Sequence, residues 1–172
     1  MKSKKLALCA LFTALALTLS YAESWLPLTL LIPVPGLKLG LANIVTLAAL
    51  YLFGFPFAAV VTFARCFLGA FYASGPTSFW FSICGAAFSL ALMSGLKALF
   101  PRSISLWGIS IAGAAAHHVG QVCAAAVLMR TTTIFSYLPI LLLASPFTGA
   151  ITAAVSLPVI SLCAKLRDKP SI

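Results

Sequence analysis

Apolar residues run almost without interruption along this chain, and glycine, proline and a few charges mark the breaks. The runs predict helices over 6–22, 39–53, 57–72, 77–99, 105–129 and 135–166. They are continuous rather than alternating, which favours helices over a barrel whose strands alternate lipid-facing and inward-facing residues. A helix needs about 20 mostly apolar residues to cross a bilayer, so the run at 39–53 is short for a span. Gly54 and Pro56 end it, and Pro101 closes the fourth run. The last run carries Pro139, Pro146 and Pro158, and is long enough for a membrane-lying lead-in plus a kinked span. Between the first two runs, the stretch 25–38 holds Pro27, Pro33, Pro35 and Gly36, which forbid a regular helix. Leu28, Leu30, Leu31 and Ile32 make that stretch apolar, so it is expected to lie against the protein or the interface.

Composition supports a membrane solvent. The 172 residues are 62% hydrophobic and 8% charged, against roughly 45–50% and 25% in soluble domains. The expected fold is all-α: one integral membrane domain over 1–172, a six-transmembrane-helix bundle with no soluble domain and no internal repeat. The five cysteines are scattered through apolar runs with no CxxC, and read as small buried hydrophobes.

The net charge of +9 invites a nucleic-acid reading, but no basic stripe with interleaved aromatics exists. The basic residues instead flank apolar runs. With six spans, Lys2, Lys4, Lys5, Lys97, Arg102, Lys165, Arg167 and Lys169 fall on one side, and Lys38 and Arg130 on the other. The positive-inside rule makes the first side, with both termini, cytoplasmic. A Lys-rich start, an apolar run and Ser20-Tyr21-Ala22 before Glu23 also fit a cleaved signal peptide.

Arg65 is left inside the third run. A lone Arg there costs about 2.5–3.5 kcal/mol on the most lenient scale, so it should face a partner or a polar cavity. Glu23 and Asp168 are the only acids, and Glu23, at the outer end of the first run, is within reach of a snorkelling guanidinium. Two readings stand: a structural pair with Glu23, or an anion-binding Arg65. His117 and Gln121 are four apart and share a helix face, whereas His118 is rotated by about 100°. With Lys38 and Asn43 they would line a cationic, hydrogen-bonding site towards the outside, or simply bond between helices. Trp80 and Tyr72 would suit a ring. Ala10 and Ala14, like Gly85 and Ser89, are small residues four apart, which let helices approach closely.

Several chemistries lack their residues. There is no phosphate loop, no paired carboxylate for acid–base work or magnesium, and no nucleophile–His–acid set. Adjacent histidines point apart on a helix, with no further ligand at metal spacing. The chain is expected to be no enzyme and to hold no metal or cofactor.

Two stretches carry a family likeness. Pro35-Gly36-Leu37-Lys38-Leu39-Gly40-Leu41-Ala42-Asn43-Ile44-Val45, together with 108–121 (GISIAGAAAHHVGQ), resembles the Gx transporter family, also labelled heptaprenyl diphosphate synthase component I. That family usually reads His-Asn before the Gly-Gln; here His118 takes the Asn place. The family looks related to the substrate-binding S components of energy-coupling factor transporters. The resemblance implies a multi-pass protein of the bacterial cell membrane that captures a small solute from outside, with Lys38, Asn43, Arg65, His117 and Gln121 as its contacts. It also implies docking through an Ala-x-x-x-Ala face, here Ala10 and Ala14, onto a transmembrane coupling subunit driven by ATPase subunits. The stretch 25–38 would correspond to the loop that covers the solute. The synthase label implies a different role, an accessory membrane subunit of isoprenoid or quinone synthesis. Prenyl-elongating synthases need two aspartate-rich motifs, and this chain has a single Asp.

Overall fold

The computed structural model describes residues 2–25, 38–72 and 76–167. The greater part of the proline-rich stretch, 26–37, lies outside them. Six α-helices are present among the described residues: α1 (Lys2–Ser24), α2 (Asn43–Phe53), α3 (Phe55–Tyr72), α4 (Pro76–Leu99), α5 (Leu106–Met129) and α6 (Leu138–Arg167), with a 3₁₀ turn at Thr133–Tyr137 before the last. No strand occurs among them.

Four segments are long and apolar enough to cross a membrane: Ser3–Ser24, Thr77–Leu99, Leu106–Met129 and Thr133–Cys163. The remaining helices, α2 and α3, are shorter. The eleven residues of α2 rise only about 16 Å, half of a hydrocarbon core. α2 is nevertheless the hub of the bundle, in contact with α1, α3, α4, α5 and α6. Every residue from Asn43 to Leu50 is buried, as a helix that is apolar all round requires.

Two boundaries differ from the pattern. The second run was expected to be helical from Leu39, but α2 begins at Asn43. Gly40 has φ +90°, a left-handed geometry that glycine alone adopts freely, and the chain turns there before the helix starts. The last run was expected to be interrupted, yet α6 passes through Pro146 and Pro158 unbroken. Each proline removes one backbone bond, but neighbouring helices hold the segment, and membrane helices tolerate proline on that account. Pro139 falls in the first turn, where a backbone N–H would have no helical partner, so the lack of one costs nothing. The break after α2 is the single residue Gly54 at φ +85°.

The packing inverts that of a soluble protein. Large apolar side chains such as Phe63, Phe71, Leu143 and Phe147 are exposed, while Thr46, Ser89, Ser110, His118, Gln121 and Ser156 are buried. Lipid is as apolar as leucine, so close approach and interhelical hydrogen bonds hold the helices together. α4 and α5 meet where a Cβ on Gly120 would stand 2.7 Å from the Cys84 carbonyl oxygen. Gly85 and Ser89 face inwards in the same seam, so this small-residue pair serves internal packing. α5 and α6 meet at Gly149, whose added Cβ would lie 2.5 Å from Ile111 Cα, and Ser110 Oγ donates to the Gly149 carbonyl at 2.7 Å. Ser156 Oγ donates to the Ile44 carbonyl at 3.0 Å, tying α6 to α2. At the far end of α2, Lys97 Nζ donates to the Leu50 carbonyl at 2.8 Å and stands 4.4 Å from the centre of the Tyr51 ring.

Gly149→Val places a branched side chain against the α5 backbone, so a collapsed monodisperse peak in size-exclusion chromatography is expected. Gly95 has nothing within 4 Å of an added Cβ. Gly95→Ala is expected to raise the thermal midpoint, by up to about 1 kcal/mol of helix propensity.

Candidate functional site

The C-terminal end of α1 supplies the first component. Glu23 is only 2% exposed, and its carboxylate is fully engaged by backbone. Oε1 accepts the Gly40 N–H at 2.6 Å and Oε2 accepts the Leu41 N–H at 3.1 Å. These are charge-assisted bonds to a carboxylate, the stronger kind. They fasten the connection that leads into α2 to the end of α1.

Gly40 is thereby pressed against two polar side chains. A Cβ there would lie 2.9 Å from Asn43 Nδ2 and 3.0 Å from His117 Cδ2. From the opposite side, a Cβ on Gly85 of α4 would lie 2.9 Å from His117 Cε1 and 2.8 Å from Gln121 Cγ. The His117 ring is held edge-on between two glycine backbones. Gln121, one turn further along α5, accepts the Lys38 backbone N–H through Oε1 at 3.4 Å.

Arg65 comes from the middle of α3 and is 5% exposed. It does not bond to Glu23. Its Nη1 donates to Ser20 Oγ at 3.4 Å, while Nε and Nη2 have no hydrogen-bond partner among the described residues. Both polar atoms of Asn43, both ring nitrogens of His117 and Gln121 Nε2 are likewise without partners among them. Such density of unpaired buried polar atoms is rare in proteins, and each costs roughly 1–3 kcal/mol.

Lys38, just ahead of α2, adds a second cation. Burial pulls its ammonium below the ordinary lysine value; Glu23 opposes that shift and Arg65 reinforces it. Lys38 also lines a cavity of about 460 Å³ between α1 and α3, with Leu17, Ser20, Tyr21, Ser24 and Gly69. Ser20 and Lys38 are the shared wall between this cavity and the polar cluster.

All five residues singled out in the sequence as solute contacts therefore belong to one neighbourhood. Lys38, Asn43, His117 and Gln121 meet around Gly40, and Arg65 joins through Ser20. The structural pairing of Arg65 with Glu23 is replaced by the carboxylate's bonds to backbone amides. Glu23, Gly40 and Gly85 were missed as site components; Glu23 had its signal in being one of two acids in an apolar chain. His118 is fully buried with both nitrogens unpaired among the described residues, its ring centre 6.1 Å from that of His117. Trp80 lies instead in an outer groove with Cys84, Phe88 and Leu128, and the Tyr72 side chain lies outside the description. Ala10 and Ala14 are exposed on α1, opposite the buried Phe12, Ala16 and Glu23. No group of three His, Cys, Asp or Glu side chains is placed to hold a metal among the described residues.

Glu23→Ala strips the acceptor from two buried amides. A loss of about 3 kcal/mol or more is expected from two bonds to a charged group, read as a lower thermal midpoint in detergent micelles. Glu23→Gln keeps one acceptor oxygen and should lose less.

Residues 12–158 match the family described as heptaprenyl diphosphate synthase component I. Searches of curated proteins and of solved structures gave no match. The matched span runs from α1 well into α6, and includes Glu23 and all five residues of the cluster. The chain belongs to the heptaprenyl diphosphate synthase component I family.

Proposed function

We propose that this protein is a membrane-embedded substrate-binding subunit of an ATP-driven uptake transporter, similar to the S components of energy-coupling factor systems. It captures a small anionic or aromatic solute from outside. The observation that supports this reading is the convergence of Lys38, Asn43, Arg65, His117 and Gln121 on one end of the bundle, with most of the buried polar atoms of the last four unpartnered among the described residues. Polar groups inside an apolar bundle are costly, and a solute that pairs with them repays that cost. In this reading all six helices cross the bacterial membrane, with α2 completed by the connection ahead of it, and both termini are cytoplasmic. Ala10 and Ala14, on the exposed face of α1, dock a transmembrane coupling subunit that ATPase subunits drive.

The family's description as component I of a synthase favours a second reading: an accessory membrane subunit for heptaprenyl diphosphate or quinone synthesis, with catalysis left to a partner. The single Asp of the chain, Asp168, fits an accessory rather than a catalytic part in that pathway.

Affinity purification from native membranes separates the two. A coupling subunit with ATPases in the eluate supports transport, and a soluble prenyl synthase overturns it. Ala10→Trp and Ala14→Trp fill that face, so each is expected to abolish uptake and leave solute binding intact. Unimpaired uptake in both variants would remove α1 as the docking face.

A further inference from the structure

Resting on the solute-binding reading, we infer that the site selects a monoanion, specifically a carboxylate, and rejects phosphates and diphosphates. The first ground is the shape of the available donors. Ser20 takes Nη1 of Arg65, which leaves Nε and Nη2, the two N–H groups along one edge of the guanidinium. That edge is a fork whose spacing fits two oxygens of one carboxylate or phosphate, so it calls for an oxyanion, and charge decides which.

The second ground is charge. At formal charge, Arg65 and Lys38 bring two positive charges and Glu23 one negative, a net of plus one; burial pulls Lys38 towards its neutral form, which lowers rather than raises that count. The stretches 26–37 and 73–75, outside the described residues, contain no charged side chain. Other cations are committed elsewhere: Lys97 to the Leu50 carbonyl at the opposite end of α2, and Arg130 to the exposed terminus of α5. One bound carboxylate brings the site to neutrality. A phosphate dianion or a diphosphate leaves buried negative charge uncompensated, the costly situation in a low-dielectric interior. Proteins that hold diphosphates usually recruit magnesium through carboxylates. Here both oxygens of Glu23 are taken by backbone, and the other acid of the chain lies in the tail.

Asn43 and His117 add donors and acceptors, and Gln121 a donor, that are unpaired among the described residues. Lys38 and Ser20, not these three, line the neighbouring cavity of about 460 Å³. That volume is at the small-molecule end of ligand sites.

The test uses the full chain in detergent micelles and two sets of probes matched in their bodies: benzoate, benzamide and phenyl phosphate; and geranate with geranyl diphosphate. Thermal midpoints are measured at mildly alkaline pH, where phenyl phosphate is a dianion. The carboxylates are expected to raise the midpoint, because binding to the folded state stabilises it; the amide, phosphate and diphosphate should not. Arg65→Gln should weaken carboxylate binding roughly tenfold or more, the worth of one bond to a charged group, with Arg65→Lys retaining part of it. Glu23→Gln raises the net charge to plus two and should turn the preference from benzoate towards phenyl phosphate, a reversal no purely structural role produces. Stronger stabilisation by a phosphate, or equal stabilisation by benzamide, overturns the monoanion assignment and leaves solute binding standing. No shift with any carboxylate also overturns it, while the purification and uptake experiments decide the wider reading separately.

Discussion

The Glu23 carboxylate holding the amides of Gly40 and Leu41 is the contact on which the rest of the arrangement depends. It joins the C-terminal end of α1 to the turn that starts α2, and α2 touches every other helix. It fixes Gly40 in its positive-φ geometry against Asn43 and His117. A backbone turn buried in an apolar bundle must find acceptors for its N–H groups. One carboxylate satisfies two at once and anchors two elements in doing so.

That choice has an electrostatic consequence. In a chain with two acids, Glu23 turns its oxygens to the Gly40 and Leu41 amides and makes no hydrogen bond to Arg65. Arg65 is left with the weaker Ser20 contact, its Nε and Nη2 unpaired among the described residues. The stability of the scaffold and the reactivity of the site are therefore two results of one allocation. Lys97 shows the complementary pattern at the other end of α2, where a cation rather than an anion is spent on backbone, and no unpaired cluster forms around it.

The helical bundle was legible in the sequence because lipid-soluble helices advertise themselves as continuous apolar runs. The boundaries that failed did so for backbone reasons. Leu39 to Ala42 are helix-compatible apart from one glycine, and only the φ of Gly40 moves the start of α2 to Asn43. Pro146 and Pro158 read as breaks, yet packing against α2 and α5 holds α6 through them. The five clustered polar residues were legible because each is expensive in an apolar run, which makes its presence informative. The partnership of Glu23 was not. Charge complementarity pointed to Arg65, and nothing in side-chain types announces that two main-chain amides will outbid it. Gly85 was visible only as half of a small-residue pair. Its role as one jaw around His117 exists only once α4 and α5 are packed.

The seam between α4 and α5 explains why His117 and Gln121 can sit where they do. Glycines at 85 and 120 bring the two backbones so close that no side chain separates them. The imidazole and the amide therefore have no room to turn outwards to lipid, and their unpaired atoms are held at the interior. A looser seam would let these groups relax towards neighbouring hydroxyls or backbone and satisfy themselves. Tight glycine packing thus preserves unsatisfied hydrogen-bonding capacity in the same way that the Glu23 clasp preserves unsatisfied charge. Together they leave buried charge and hydrogen-bonding capacity unpaired among the described residues, the feature on which the proposed solute binding rests.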